Sequence, residues 1–437
     1  MQRVFWKVTL LFVLLAVLGA CAAPTVAPSA AVTAPADEKI LLEFWTLSEG
    51  DTSAYIDSIV AGFNAVNPGV EVVLRTYAPE AYKTAIQVAI GSDDPPDILF
   101  NWAGDDTGRY VREGQLLDLT PYGEKLGWFE HVSPAVLNAF TYDGVLAGAA
   151  YSLEAKYFYY NKEMFAKEGL SVPASFDELL TLCKVLREKG YTPMSFGNQD
   201  RWEGVHYLSI FNQKVVGEKV IEEDYTLASP ADQLFADPNY AQAFQKLLDM
   251  QNAGCFGDAV NSTTPDAAIA QFYSEQVPMY YQGTWAMGQL KAAEFDKPYG
   301  LFRMPPVTDG AGNQNYVLMG PIALEVSAKS AHPDEAVAFV DHFISQANQQ
   351  RLVDELNRLG VRNDLDTSKT SEGFQFVIAD LAKAEGSTTW LDVVLENSVS
   401  EVYLNVIQEV LAGTKTPEEA ADAVREQALI AKERLGK

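Results

Sequence analysis

ILLEFW at residues 40–45, TSAYIDSIVAGFNAV at 52–66, VEVVLRTY at 70–77 and DILF at 97–100 decide the fold class of this chain. The first, third and fourth are short apolar runs that read as strands. In the second, Ile56, Ile59, Val60 and Phe63 recur at the spacing of one helical face. Tyr82 to Ile90 is a further helical stretch, ahead of the breakers Pro95-Pro96. Strand, helix, strand, helix, strand predicts a parallel α/β sheet. Strands are again expected at Tyr157–Asn161, Pro278–Gln282 and Val317–Val326. Ser175-Phe176-Asp177-Glu178 is a capping box for a helix reaching Lys189, and Pro333–Asn357 is helical with a break. Thr416-Pro417-Glu418-Glu419 opens a last helix, with Pro at its first position and Glu at its third.

Ahead of this body, Arg3 and Lys7 flank the start of an apolar run from Val8 to Leu18 that ends Leu18-Gly19-Ala20-Cys21. That predicts a signal peptide over residues 1–20, too short for a spanning helix, with Cys21 exposed for lipidation after cleavage. Residues 21–37 are the lipidated cysteine and a linker rich in Ala, Pro, Ser and Thr, unsuited to helix or sheet. The lipid is then the only expected membrane attachment. The chain has 437 residues, and 59 acidic against 32 basic side chains leave it at −27. That argues against nucleic acid as a partner. Cys183 and Cys255 are either a disulfide or two buried thiols, and an oxidising compartment favours the bond.

In open parallel sheets ligands sit beyond the carboxyl ends of strands. The segments there are Trp45 to Gly50, Asn101 to Asp106, Tyr151 to Glu154, Asn198 to Glu203 and Gln282 to Trp285, with Thr388 to Asp392 near the end. Five of the seven tryptophans lie in them, beside carboxylates or amides. Flat rings cover the C–H face of a pyranose, while carboxylates and amides bind its hydroxyls. Trp45 and Trp390 read equally well as core residues. No Walker loop, G-x-S-x-G, H-E-x-x-H or dinucleotide fingerprint occurs, and the four histidines lack metal-ligand spacing. No cofactor or metal is expected. A pair of acids for glycoside hydrolysis stays open, as only their separation in space would reveal it.

Phe44-Trp45, GSDDPPDILF at 91–100, GQLLDLT at 114–120, YYNKEMF at 159–165, Ser175 to Leu179, QGTWAM at 282–287 and Thr416 to Ala420 follow one another in a familiar order. Over its whole mature length the chain resembles the solute-binding proteins of bacterial ABC importers, in the carbohydrate-binding group that includes maltose-binding protein. The resemblance implies a periplasmic-binding-protein-like α/β fold of two lobes with a ligand cleft and hinge between them. The N-terminal lobe would take 38–152 and 303–345, and the C-terminal lobe 153–302 and 346–437. It places Glu154, Trp285, Trp202, Glu49, Trp102 and Asp105 on the group's ligand positions, with Trp45 and Trp390 beside them. Gly50 and Asp106 stand where maltose-binding members carry basic residues, which puts maltose in doubt.

The resulting expectation is a monomeric, lipid-anchored, extracytoplasmic binding protein that hands a mono- or oligosaccharide to a membrane permease, without catalysis. A surface glycoside hydrolase and a sugar-sensing module are the alternatives. Glycerol phosphate esters and polyamines are the alternative ligands.

Overall fold

The structure is a computed structural model that describes residues 39–48 and 50–437. The expected signal peptide, Cys21, the expected linker and Glu49 lie outside the described residues.

One nine-stranded sheet organises residues 39–437. Its strands are β1 (Ile40–Leu47), β2 (Val70–Tyr77), β3 (Ile98–Trp102), β4 (Gly148–Asn161), β5 (Met194–Ser195), β6 (Met279–Gly283), β7 (Tyr299–Phe302), β8 (Tyr316–Val326) and β9 (Gly386–Thr388). The order is β2-β1-β3-β8-β4-β6-β5, with β9 beside β8 and β7 beside β4. The opening βαβαβ unit is parallel as expected, with Ile40 opposite Val70 and Phe44 opposite Ile98. The whole sheet is not. β8 runs antiparallel to β3 and to β4, and β4 runs antiparallel to β6 and β7, so the sheet is mixed.

The two longest strands explain the departure. Residues 148–155 of β4 pair with β8, and residues 156–161 pair with β6 and β7. β4 therefore begins in one hydrophobic core and ends in two others. The first core packs Leu42, Phe44, Ile59, Phe63, Phe100, Phe339 and Phe343. Beyond the crossing, Phe158 enters a second core with Phe211, Phe244, Tyr403 and Ile407. Tyr157 and Tyr159 point to the other face, into a third core with Phe272, Met287 and Phe374. The two-residue period of a strand produces this division. A third segment crosses beside these strands, where Leu153 N donates to Leu359 O at 3.0 Å.

Helix ends follow the local chemistry. Ser175 Oγ accepts from Glu178 N, and Thr416 with Glu419 forms a full capping box on Pro417–Leu435. The break expected within Pro333–Asn357 falls at Ile344–Ser345, where Ser345 caps the second helix, Gln346–Leu356. Cys183, on the helix Phe176–Glu188, is bonded to Cys255, with Cα atoms 4.9 Å apart and both residues wholly buried. The bond closes a loop of 72 residues within the second core. Cys183→Ala/Cys255→Ala should lower the unfolding free energy by about 2 to 5 kcal/mol in urea titrations. An unchanged midpoint would show that the bond does not restrain that core.

Candidate functional site

A cavity of about 380 Å³ lies where β4, β8 and the segment around Leu359 cross. The first core contributes Thr46 from the end of β1, Lys83 from the helix Pro79–Ala89, and Trp102 from the end of β3. Opposite stand Trp202, His206, Gln282, Trp285, Trp390 and Asp392, and Glu154 with Arg358 lies at the crossing.

The opposite wall is aromatic. Trp285 lies 6.1 Å from Trp202 and 6.0 Å from Trp390, centroid to centroid, with the rings steeply inclined. His206 fills the space between them, 4.5 Å from Trp390 and 5.1 Å from Trp202. The backbone holds these rings. A Cβ on Gly283 would lie 2.0 Å from the Trp285 ring, so only glycine lets the indole fold back over its own strand. Trp202 opens the helix Trp202–Val215, which is stapled at its start: Asn198 Oδ1 accepts from Gly204 N at 3.0 Å, and Glu203 Oε2 from Gly197 N at 2.7 Å.

The cations of the lining are paired with carboxylates of the protein. Arg358 donates to Asp51 at 3.2 Å and to Glu154 at 3.4 Å, with all three side chains buried. Glu154 also accepts from Ser152 Oγ at 2.9 Å and Thr284 Oγ1 at 2.6 Å. Lys83 pairs with Asp392 Oδ2 at 2.8 Å and with Glu80 at 3.3 Å. Burial alone would lower Lys83, but these carboxylates outweigh it and hold the ammonium above the ordinary lysine value. Behind the aromatic wall, Lys156 donates to Gln282 Oε1 at 2.7 Å and contacts His206 Nδ1 at 3.1 Å. It lies 5.0 Å from the Trp202 ring and 5.3 Å from that of Trp285. Burial brings Lys156 down to about 7, and burial with two nearby ammonium groups keeps His206 well below its usual range, hence neutral.

Of the residues singled out in the sequence, Trp102, Glu154, Trp202, Trp285 and Trp390 line one cavity. Trp45 does not: it lies on the face opposite Leu42 and Phe44, against Tyr77 at 5.1 Å, with its indole N–H on Glu43. Asp105 is outside the lining and pairs with Arg112 at 3.3 Å. Glu49 falls outside the described residues. Thr46, Lys83, His206, Gln282, Arg358 and Asp392 are among the further lining residues, as are the acids Asp200 and Asp266. For Gln282 and Asp392 the neighbouring tryptophans were the available signal. Lys83 and His206 sit inside helices and Arg358 in a late loop, so nothing local marked them.

The comparisons with known proteins agree with this geometry. Residues 48–350 match the family described as bacterial extracellular solute-binding protein. The chain belongs to that family. It is similar to the multiple sugar-binding protein of Streptococcus mutans, 24% identical over 329 residues, which cover 73% of this chain and 74% of that protein. Its fold matches a Caldanaerobius polysaccharolyticus structure described under xylan utilization, with a TM-score of 0.82 and 27% identity, covering 89% of this chain and all of that one. A chitin oligosaccharide binding protein shares the fold at a TM-score of 0.82 and 22% identity, over 89% of this chain and 98% of the other. Members of the family are substrate-binding proteins that act outside the cytoplasm, and they are not enzymes.

One buried acid supports the Trp102 side of the site. Glu325 on β8 faces Thr107 Oγ1 at 2.6 Å and Asn101 Nδ2 at 3.0 Å. Thr107 has one hydroxyl proton and a second acceptor, Trp102 O, at 3.1 Å. A protonated Glu325 that donates to Thr107 resolves the competition. Burial pushes Glu325 up to about 8, from an ordinary 4.5. A raised carboxyl stabilises the fold fully below its unfolded value, and that contribution is lost as pH climbs through about 8. Glu325→Gln keeps the donor and acceptor but does not titrate. Its stability relative to the native protein should therefore rise between about pH 5 and 8, by up to about 1.4 kcal/mol per pH unit. A constant difference across that range in urea titrations would show that Glu325 is ionised throughout.

Proposed function

We propose that this chain is the sugar-binding lipoprotein of an ABC importer, anchored through Cys21 and delivering a mono- or oligosaccharide to a membrane permease. The observation that carries this reading is the wall of Trp202, Trp285 and Trp390 set across a cavity from polar groups. Rings of that orientation suit the C–H faces of pyranoses, and the acids and amides suit their hydroxyls. Separate cores on either side of the crossing strands support a division into two lobes. A solute touching both sides would favour the closed arrangement because only that arrangement completes its contacts.

A phosphate ester is the poorer fit. The cations at the cavity, Lys83 and Arg358, each carry two carboxylate partners already, and Lys156 stands behind the rings. A hydrolase finds no support in the family, and the acid at the crossing, Glu154, is engaged with Arg358, Thr284 and Ser152.

Thermal shifts of the mature protein against D-glucose, D-galactose, D-xylose, maltose, xylobiose, chitobiose, glycerol 3-phosphate and spermidine test the ligand class. A sugar at about 100 times its Kd should add about 2.7 kcal/mol of stability, and incubation should leave it unchanged. A shift with spermidine or glycerol 3-phosphate alone would reject the sugar reading. Trp285→Ala should weaken the best sugar by about tenfold or more in calorimetry while the far-UV circular dichroism is preserved. Undiminished affinity would remove Trp285 from the site.

A further inference from the structure

Asp392 holds one carboxylate oxygen without a partner. Its side chain is only 4% exposed, and Lys83 occupies Oδ2 at 2.8 Å. Oδ1 is buried and meets no hydrogen-bond donor. Leaving such an oxygen unmatched is costly, so a donor is expected there once the site is filled. His206 Nε2 lies 4.0 Å from Oδ1, too far for a direct hydrogen bond. Both residues line the same cavity.

The hydrogen on His206 can be placed by its other nitrogen. Lys156 Nζ lies 3.1 Å from Nδ1 and 2.7 Å from Gln282 Oε1. As an ammonium over the Trp202 and Trp285 rings, Lys156 has hydrogens enough to donate to both and no lone pair to accept with, which makes Nδ1 an acceptor. A neutral imidazole that accepts at Nδ1 carries its hydrogen on Nε2. Asp392 Oδ1 is then an acceptor and His206 Nε2–H a donor, about one hydroxyl's reach apart.

We infer that His206 and Asp392 bracket one hydroxyl group of a bound sugar, which donates to Asp392 Oδ1 and accepts from His206 Nε2–H, with Lys156 acting as the positioning residue that fixes the tautomer. The inference rests on the sugar reading above and deepens it, since a site of this kind selects for a hydroxyl at one ring position. A buried pair that requires both a donor and an acceptor rejects the deoxy analogue far more strongly than an apolar wall rejects a change of shape. Asp392 also bridges the two sides of the cavity through Lys83, so the same carboxylate serves recognition and contact between the sides.

The test uses the tightest sugar of the panel and its monodeoxy analogues, titrated into the native protein and His206→Phe. Phenylalanine keeps a ring against Trp390 but has no N–H. Removal of one particular hydroxyl should weaken binding to the native protein by about tenfold or more, and to His206→Phe by less than about threefold. Equal discrimination by the two proteins would overturn the inference. Absence of binding by every sugar would overturn the sugar reading and this inference with it. Nitrogen-15 NMR of the native protein, with four histidines to assign, gives a readout that needs no folded variant. His206 should be the Nε2–H tautomer with an Nε2 resonance that moves on sugar addition. An Nδ1–H tautomer or an unmoved resonance would overturn it.

Discussion

Arg358 held between Asp51 and Glu154 is the interaction on which the site depends. Glu154 lies on β4 where that strand leaves the first core, Asp51 follows β1, and Arg358 belongs to the third crossing segment. Burying two carboxylates and one guanidinium costs several kcal/mol per ion unless geometry and further hydrogen bonds compensate. Here Ser152 and Thr284 add donors to Glu154 from both sides of the crossing. The packing is close enough that a Cβ on Gly288 would lie 2.4 Å from Asp51 Oδ2. A charged group so enclosed fixes the chain around it, because any slippage would expose an unpaired ion to an apolar interior. The floor of the cavity is therefore stiff, and the walls are carried by separate cores.

That arrangement divides the work between local and distant sequence. The βαβαβ opening was legible because each element spans its full length with one period: Val70–Tyr77 begins and ends as read, and α-helical spacing in 52–66 matches Ser53–Val66. β4 was legible only from Tyr157 on. Its first half contains glycine, alanines, serine and a buried Glu-Ala-Lys, which local propensity does not mark as strand. They form one because β8 pairs alongside. The antiparallel centre of the sheet was hidden for the same reason.

The site divides in a similar way. Tryptophans in loops after strands announce themselves, and Trp102, Trp202, Trp285 and Trp390 were readable from composition and position. Trp45 has the same setting but the opposite outcome. The apolar alternation of Leu42 and Phe44 places it on the other face, where Glu43 and Arg75 surround it. The polar partners were not readable. Lys83 and Asp392 are 309 residues apart, and His206 meets Lys156 across 50. Their pairing exists only after the cores have assembled, so no window of sequence contains it.

Those long-range pairs also set where the charges of the cavity lie. Each cation at the cavity is matched by carboxylates, Lys156 is kept behind the rings at a reduced affinity for its proton, and Asp200 and Asp266 add further acids to the lining. What faces inward is aromatic surface with amides, hydroxyls and carboxylates set around it, the mixture that fixes a ligand by its hydrogen-bond pattern. The join between the sides is equally local. Gly104 approaches Val393 so closely that a Cβ would lie 2.0 Å from its carbonyl oxygen, and Asn397 reaches Asp106 at 3.1 Å. These contacts cluster beside the Lys83–Asp392 pair, on the segment that also carries Trp390. A solute that engages Trp390 or Asp392 therefore acts on the segment that touches the opposite side. Recognition and approach of the two sides share the same few residues, and that sharing gives a bound solute leverage over the conformation of the whole chain.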